Sequence, residues 1–313
     1  MDTLEILLPV IIILSLGFIL RKTEFLSSEF TSGLGRLAYW VGLPAYLFYE
    51  ISTMDKGLNE ALESFAVMMC GMAAAIILAA VICFVFKIKK SYIGSFIQGS
   101  FRTNIAYIGI PVVFYTFAGY GSGMRSDIAR MCILTLAMCV PAYNIISVIA
   151  LLVTDTSANG RQFWKTFQKI VTNPLIISVV LGLLAAHFRV EMPVYLDRSF
   201  DAITGLVLPA ALLCVGATLA QTRFSWTLLQ YSLTASLIKV GFCPLIGYFA
   251  ADWFGLTDTQ KLAVMLLLAS PTAVSSYILA EQLNGNKELS ASIVVNSTVI
   301  SFVSFAVILG LKL

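Results

Sequence analysis

The sequence predicts an all-α membrane protein: ten transmembrane helices in two inverted five-helix repeats, with broken, crossing helices four and nine. Three observations predict it. Hydrophobic residues make up 59% of the 313 residues and charged residues 12%, with a mean hydropathy of +0.90; average soluble domains run at roughly 45–50% apolar and about 25% charged. Ten apolar segments of helical length follow one another along the chain. Prolines and glycines recur at a fixed offset between the two halves.

Charge this sparse cannot coat a soluble globule, which excludes a soluble enzyme and a disordered chain. A net charge of +3 leaves no basic footprint for nucleic acid. Cys70, Cys83, Cys132, Cys139, Cys214 and Cys243 all sit in apolar runs and form no Cys-x-x-Cys pair, so neither a zinc site nor a disulfide framework is expected. His187 has no partner at ligand spacing, and no metal or cofactor is expected. There is no nucleophile elbow, His/Glu metal motif or phosphate-cradling loop, so no enzyme activity is expected.

The segments can be justified in order. Segment one (4–20) follows two acids, Asp2 and Glu5, and lacks the positive n-region of a signal peptide. Segment two (30–52) carries Pro44 within "GLPAYLF", and segment three (62–86) is nearly uninterrupted. Segment four (91–118) is broken by a polar cluster in "SFRTNIAYIGIPVVFYTF". Segment five (128–153) holds Pro141 and Asn144. Segments six (171–188) and seven (200–221) open the second half with Pro174 and Pro209. Segment eight (226–254) contains Lys239 and Pro244. Segment nine (261–282) is broken in "LLLASPTAVSSYILAEQL", and segment ten (289–311) carries Asn296, Ser297 and Thr298. The lengths suit helices of about 20 residues and not the short alternating strands of a β-barrel.

Pro9 and Pro174 lie 165 positions apart, as do Pro44 and Pro209, and Gly17 and Gly182; "VLPAALL" falls under "GLPAYLF". Segments six and seven thus repeat segments one and two. Five segments per repeat is an odd number, so the second half inserts upside down. The repeats span 1–153 and 171–313, joined by a short linker, 154–170, expected in the cytoplasm. Odd-numbered loops carry eleven Lys and Arg against five acids, and the other side seven against twelve. The positive-inside rule then puts odd loops in the cytoplasm and both termini outside the cell membrane.

Paired interruptions in corresponding segments of the halves point to a midplane binding site. Segment four supplies Arg102, Asn104, Tyr107 and Pro111; segment nine supplies Pro271, Ser275 and Ser276. Half-helix N-termini there would offer free N–H groups to an anion. Pro9, Pro141 and Pro244 read as kinks in packed helices. Asn144 and Asn296, each in the last segment of its repeat, are either site residues or interhelical hydrogen-bonding glue. Intramembrane charge is scarce and functional by default. Arg102 can pair with a carboxylate or anchor its helix at the interface. Lys239, Glu281 and Gln282 are the candidates for coupling to an ion, H+ or Na+, with snorkelling the other reading of Glu281.

The residues resemble the auxin efflux carrier (AEC) family of secondary transporters over essentially the whole chain. "GLGRLAYWVGLPAYLF" looks like its opening pattern, Arg102, Asn104, Gly109 and Pro111 are similar to its "R-x-N-x-x-x-x-G-x-P" motif, and "ASPTAVSSYILAEQLNGNKELSASIVVNSTVIS" looks like its closing pattern. The resemblance implies a scaffold of segments one, two, six and seven forming a homodimer surface. It implies a transport domain of segments three to five and eight to ten, in which four and nine cross at their prolines. It also implies elevator-type movement of a small organic anion: mono- or dicarboxylates such as malonate or malate, or auxin-like acids. The short linker between segments five and six matches prokaryotic members. Related sodium–bile acid symporters share the architecture, but the oxygen cluster their sodium needs is only partly matched, by Asn104, Glu281 and Gln282. A sodium-coupled symporter of that type, or a membrane ligand sensor without net transport, are the alternative expectations.

Overall fold

The computed structural model describes residues 3–52, 58–152, 172, 174–190, 192–222 and 225–311. The expected linker, 154–170, lies outside them. Among the described residues the regular structure is helical. Helix α1 is Thr3–Lys22. Helix α2 (Ser28–Leu37) runs through a π turn, Ala38–Gly42, into α3 (Leu43–Ser52). Then come α4 (Leu58–Val85), α5 (Lys90–Phe101), a second π turn (Ile105–Gly109) leading into α6 (Ile110–Phe117), and α7 (Ser122–Leu152). The second half comprises α8 (Pro174–His187), α9 (Val194–Gln221), α10 (Leu229–Leu237), a third π turn (Ile238–Phe242) leading into α11 (Cys243–Trp253), α12 (Asp258–Ala269), α13 (Ser275–Gln282) and α14 (Lys287–Gly310). Among the described residues six helical stretches are long and apolar enough to cross a membrane, and Ile105–Phe117 and Pro174–His187 are shorter apolar helices. The protein is a multi-pass helical membrane protein.

Local chemistry sets the ends. Ser27 accepts from the Phe30 N–H to start α2. Thr257 and Gln260 form a capping box at α12, and the Asn286 side chain accepts from the Leu289 N–H at α14, each satisfying donors that a helix start leaves free. The three π turns share a cause. Each precedes a proline, Pro44, Pro111 or Pro244, and contains the residue four before it: Trp40, Tyr107 or Val240. A proline ring collides with that carbonyl and offers it no N–H; one extra residue in the turn moves the carbonyl aside. Pro9, Pro141 and Pro209 instead sit inside continuous helices.

Two close pairings frame one side. Helix α1 packs along α9, and α3 along α8. A Cβ on Gly17 would stand 2.3 Å from the Leu213 carbonyl oxygen, and one on Gly216 only 1.9 Å from that of Leu14. A Cβ on Gly182 would stand 2.9 Å from Ile51 Cβ. Glycine lets these backbones touch, as small residues do between membrane helices. On the other side α4 packs against α7 and α11, and α10 against α14, around α12, whose residues from Lys261 to Ala269 are all buried. Large apolar side chains such as Leu4, Ile12, Ile77, Phe84, Val299 and Val303 point outward, a surface suited to lipid rather than water.

Helices α5 and α12 both stop mid-protein, and the extended segments that follow them cross. Thr103 and Thr272 form an antiparallel bridge. The Asn104 N–H donates to the Pro271 carbonyl (2.8 Å) and the Ala273 N–H to the Arg102 carbonyl (2.9 Å). The crossing therefore differs from the one expected at Pro111 and Pro271. Pro271 is in it, but Pro111 lies beyond it in α6, just past the π turn that accommodates it.

Candidate functional site

A cavity of about 800 Å³ lies against the crossing. Its floor comes from the segment after α5, one wall from the π turn between α2 and α3, another from α7, and the last from the start of α13. Arg102 enters it because α5 ends at Phe101 and the chain turns extended there. The Arg102 side chain donates from Nη2 to Asn144 Oδ1 of α7 at 2.8 Å. Its Nη1 and the Asn104 Nδ2 have no hydrogen-bond partner among the described residues, although the two residues are only 8% and 5% exposed. Both residues line the cavity, and no acidic side chain among the described residues does. Buried donors without acceptors carry a desolvation cost of about 1–3 kcal/mol each, more when charged.

The crossing is held from behind by hydroxyls. Thr272 Oγ1 donates to the Gly99 carbonyl at 2.7 Å, and the Thr272 N–H to Ser297 Oγ at 3.0 Å. Thr103 Oγ1 donates to the Tyr143 hydroxyl at 3.3 Å.

The cavity continues in one direction. A second space of about 340 Å³ shares Arg36, Tyr39, Trp40 and Tyr107 with it. A third, of about 420 Å³, shares Gln221 and Tyr277 with the second and reaches Lys287 and Glu288. In the other direction lies a void of about 40 Å³, between Leu43, Tyr46, Ile110 and Phe114, where the Tyr46 and Phe114 rings meet edge to face at 5.9 Å. Access thus runs to the face bearing the loops after α1, α9 and α13.

Of the residues singled out by sequence, Arg102, Asn104, Tyr107, Asn144, Ser275 and Gln282 line one cavity. Pro271 contributes its carbonyl to the crossing, and Ser276, one residue past the lining, is fully buried with a free hydroxyl. The others lie elsewhere. Pro111 is buried in α6. Asn296 donates to Ser232 Oγ at 2.8 Å, bonding α14 to α10. Lys239 is fully buried and donates to the Leu268 carbonyl at 2.5 Å. Glu281 pairs with Lys287 at 2.5 Å on the exposed surface. Sequence reasoning passed over Arg36, Tyr39 and Trp40, which line the cavity; Arg36 was counted among the loop charges. The signal available was an arginine one helical turn before a proline-linked aromatic pair. Among the described residues no group of three or more His, Cys, Asp or Glu gathers as a metal site.

A family model described as membrane transport protein matches residues 2–309. An uncharacterised transporter of Methanocaldococcus jannaschii is 19% identical over 98% of this chain and 97% of its own. An uncharacterised transporter of Escherichia coli K12 is 23% identical over 89% of this chain and 87% of its own. A Rhizobium meliloti protein provisionally named a malonate transporter is 28% identical, over 43% of this chain and 42% of its own.

Proposed function

Because the chain belongs to the membrane transport protein family, that of the auxin efflux carriers, we propose that it is a secondary carrier of small organic anions, mono- or dicarboxylates, and not an enzyme. The observation that carries this reading is the pair of buried, unpartnered donors, Arg102 Nη1 and Asn104 Nδ2, in a cavity without acids. The substrate carboxylate accepts from both, as charge-assisted hydrogen bonds. Tyr107, Ser275 and Gln282 complete the lining. The partial likeness to the Rhizobium meliloti protein favours carboxylates within the anion class.

In this reading the chain crosses the cell membrane ten times in two inverted repeats, with both termini outside. Three features support it. The α1–α9 and α3–α8 pairings are reciprocal between halves. Gly17 and Gly182, equivalent by the sequence offset, both sit at close backbone contacts. The two broken helices meet at one bridge. Helices α1, α2–α3, α8 and α9 form the scaffold and the surface for a second copy. The remaining helices form the moving body, which carries the anion by an elevator motion, driven by H+ or Na+.

Uptake of labelled malonate into proteoliposomes tests the reading. Wild-type protein is expected to give saturable uptake, and Asn104→Ala to lower its initial rate about tenfold, the worth of one charge-assisted hydrogen bond. Asn296→Ala, whose side chain is bonded to Ser232 away from the cavity, should keep the wild-type rate. Equal rates in the wild type and Asn104→Ala would remove the site assignment.

A further inference from the structure

Arg36 has no structural employment. It stands in the last turn of α2, where a cation ordinarily complements a helix C-terminus. Helix α2 does not end there: it continues through Ala38–Gly42 into α3 with helical backbone throughout. The position of Arg36 is therefore not a helix C-terminus. No acid among the described residues pairs with it, the ion pairs being those of Arg130, Lys261 and Lys287. Its side chain lines the cavity at the crossing and also the space leading out of it, whereas Arg102 belongs to the inner cavity alone. The cavity thus has a guanidinium at its floor and a second at its exit.

Resting on the reading of this cavity as an anion site, we propose that Arg36 is the second anchor of the substrate and the residue that selects dicarboxylates over monocarboxylates. One carboxylate sits on Arg102 and Asn104 at the crossing; the other reaches Arg36 on α2. The charge count favours this. A dianion balances two guanidinium groups in a cavity with no acid of its own, and a monoanion leaves one uncompensated among apolar walls such as Leu136, Val140 and Ile278. The planar fork of arginine binds a carboxylate through two parallel hydrogen bonds, which a lysine cannot reproduce. The two anchors also belong to separate structural elements: α2 packs on α9, while Arg102 is tied to the segment before α13. A dicarboxylate bridges them, and a monocarboxylate touches only one.

Isothermal titration of the purified full chain in detergent tests this, with malonate and propionate as probes: equal carbon number, one carboxylate apart. Wild-type protein is expected to bind malonate about tenfold or more tighter than propionate. Arg36→Gln should remove that preference by weakening malonate alone, and Arg36→Lys should restore part of it. Arg36 is exposed and without a partner, so both variants should keep the wild-type thermal midpoint. Arg36→Gln weakening both probes equally, or changing neither, overturns the assignment of Arg36 while leaving the carrier reading in place. Failure of the wild type to bind either probe overturns the carrier reading and this inference with it.

Discussion

At the scale of single residues, Lys239 shows what an apolar interior demands of a charge. Its amine is fully buried and donates to the carbonyl of Leu268, one of the last carbonyls of α12 and so without an acceptor role inside the helix. Lys239→Ala removes that donor and leaves a void, so the thermal midpoint in detergent should fall by the equivalent of about 2 kcal/mol or more. Lys239→Met, which keeps most of the volume, should lose less, and the difference isolates the packing. Much of the candidate site was legible at this scale. Arg102, Asn104 and Asn144 stand out because charge and amide groups are rare in apolar runs. The bond from Lys239 was not legible, because its acceptor is a main-chain carbonyl and no side-chain pattern announces one. Arg36 was hidden for the opposite reason. It sits among the polar residues of α2, and a hydropathy pattern cannot separate the wall of a cavity from a loop.

At the scale of elements, backbone proximity decides. Gly216→Ala places a methyl group on the Leu14 carbonyl oxygen and must push α1 off α9, so it should lower the yield of folded protein and its thermal midpoint sharply. Gly205→Ala, on the same helix with no atom within 4 Å of the added carbon, should raise stability by up to about 1 kcal/mol through helix propensity. Thermal unfolding of the two variants side by side checks the contrast. The offset between prolines and glycines singles out Gly17 and Gly182 in the sequence, and both stand at close backbone contacts. The π turns were not visible, since one extra residue in a turn barely disturbs an apolar string. The resemblance to the family implies a crossing at Pro111. The chain is in fact extended at Arg102–Asn104, where no proline stands.

At the scale of the whole molecule, three cavities share lining residues toward one face, and on the other side the Tyr46 and Phe114 rings pack edge to face beside a small void. A cysteine placed at Ser275, with the native cysteines replaced, should react with a membrane-impermeant thiol reagent applied from the face of the Lys- and Arg-rich loops. It should be protected when malonate is present. One at Phe114 should stay unreactive from both sides. Labelling in inside-out and right-side-out vesicles reads this directly. The crossing at the centre has a further consequence. Its two segments hold each other through main-chain groups, Asn104 to Pro271 and Ala273 to Arg102, so the frame does not depend on which side chains project from it into the cavity. Arg102 and Asn104 can be exchanged without dismantling the support they stand on. Cargo preference and the machinery that moves the cargo are thereby separable properties, and a protein of this design can acquire a new ligand by a few substitutions while its working parts are inherited intact.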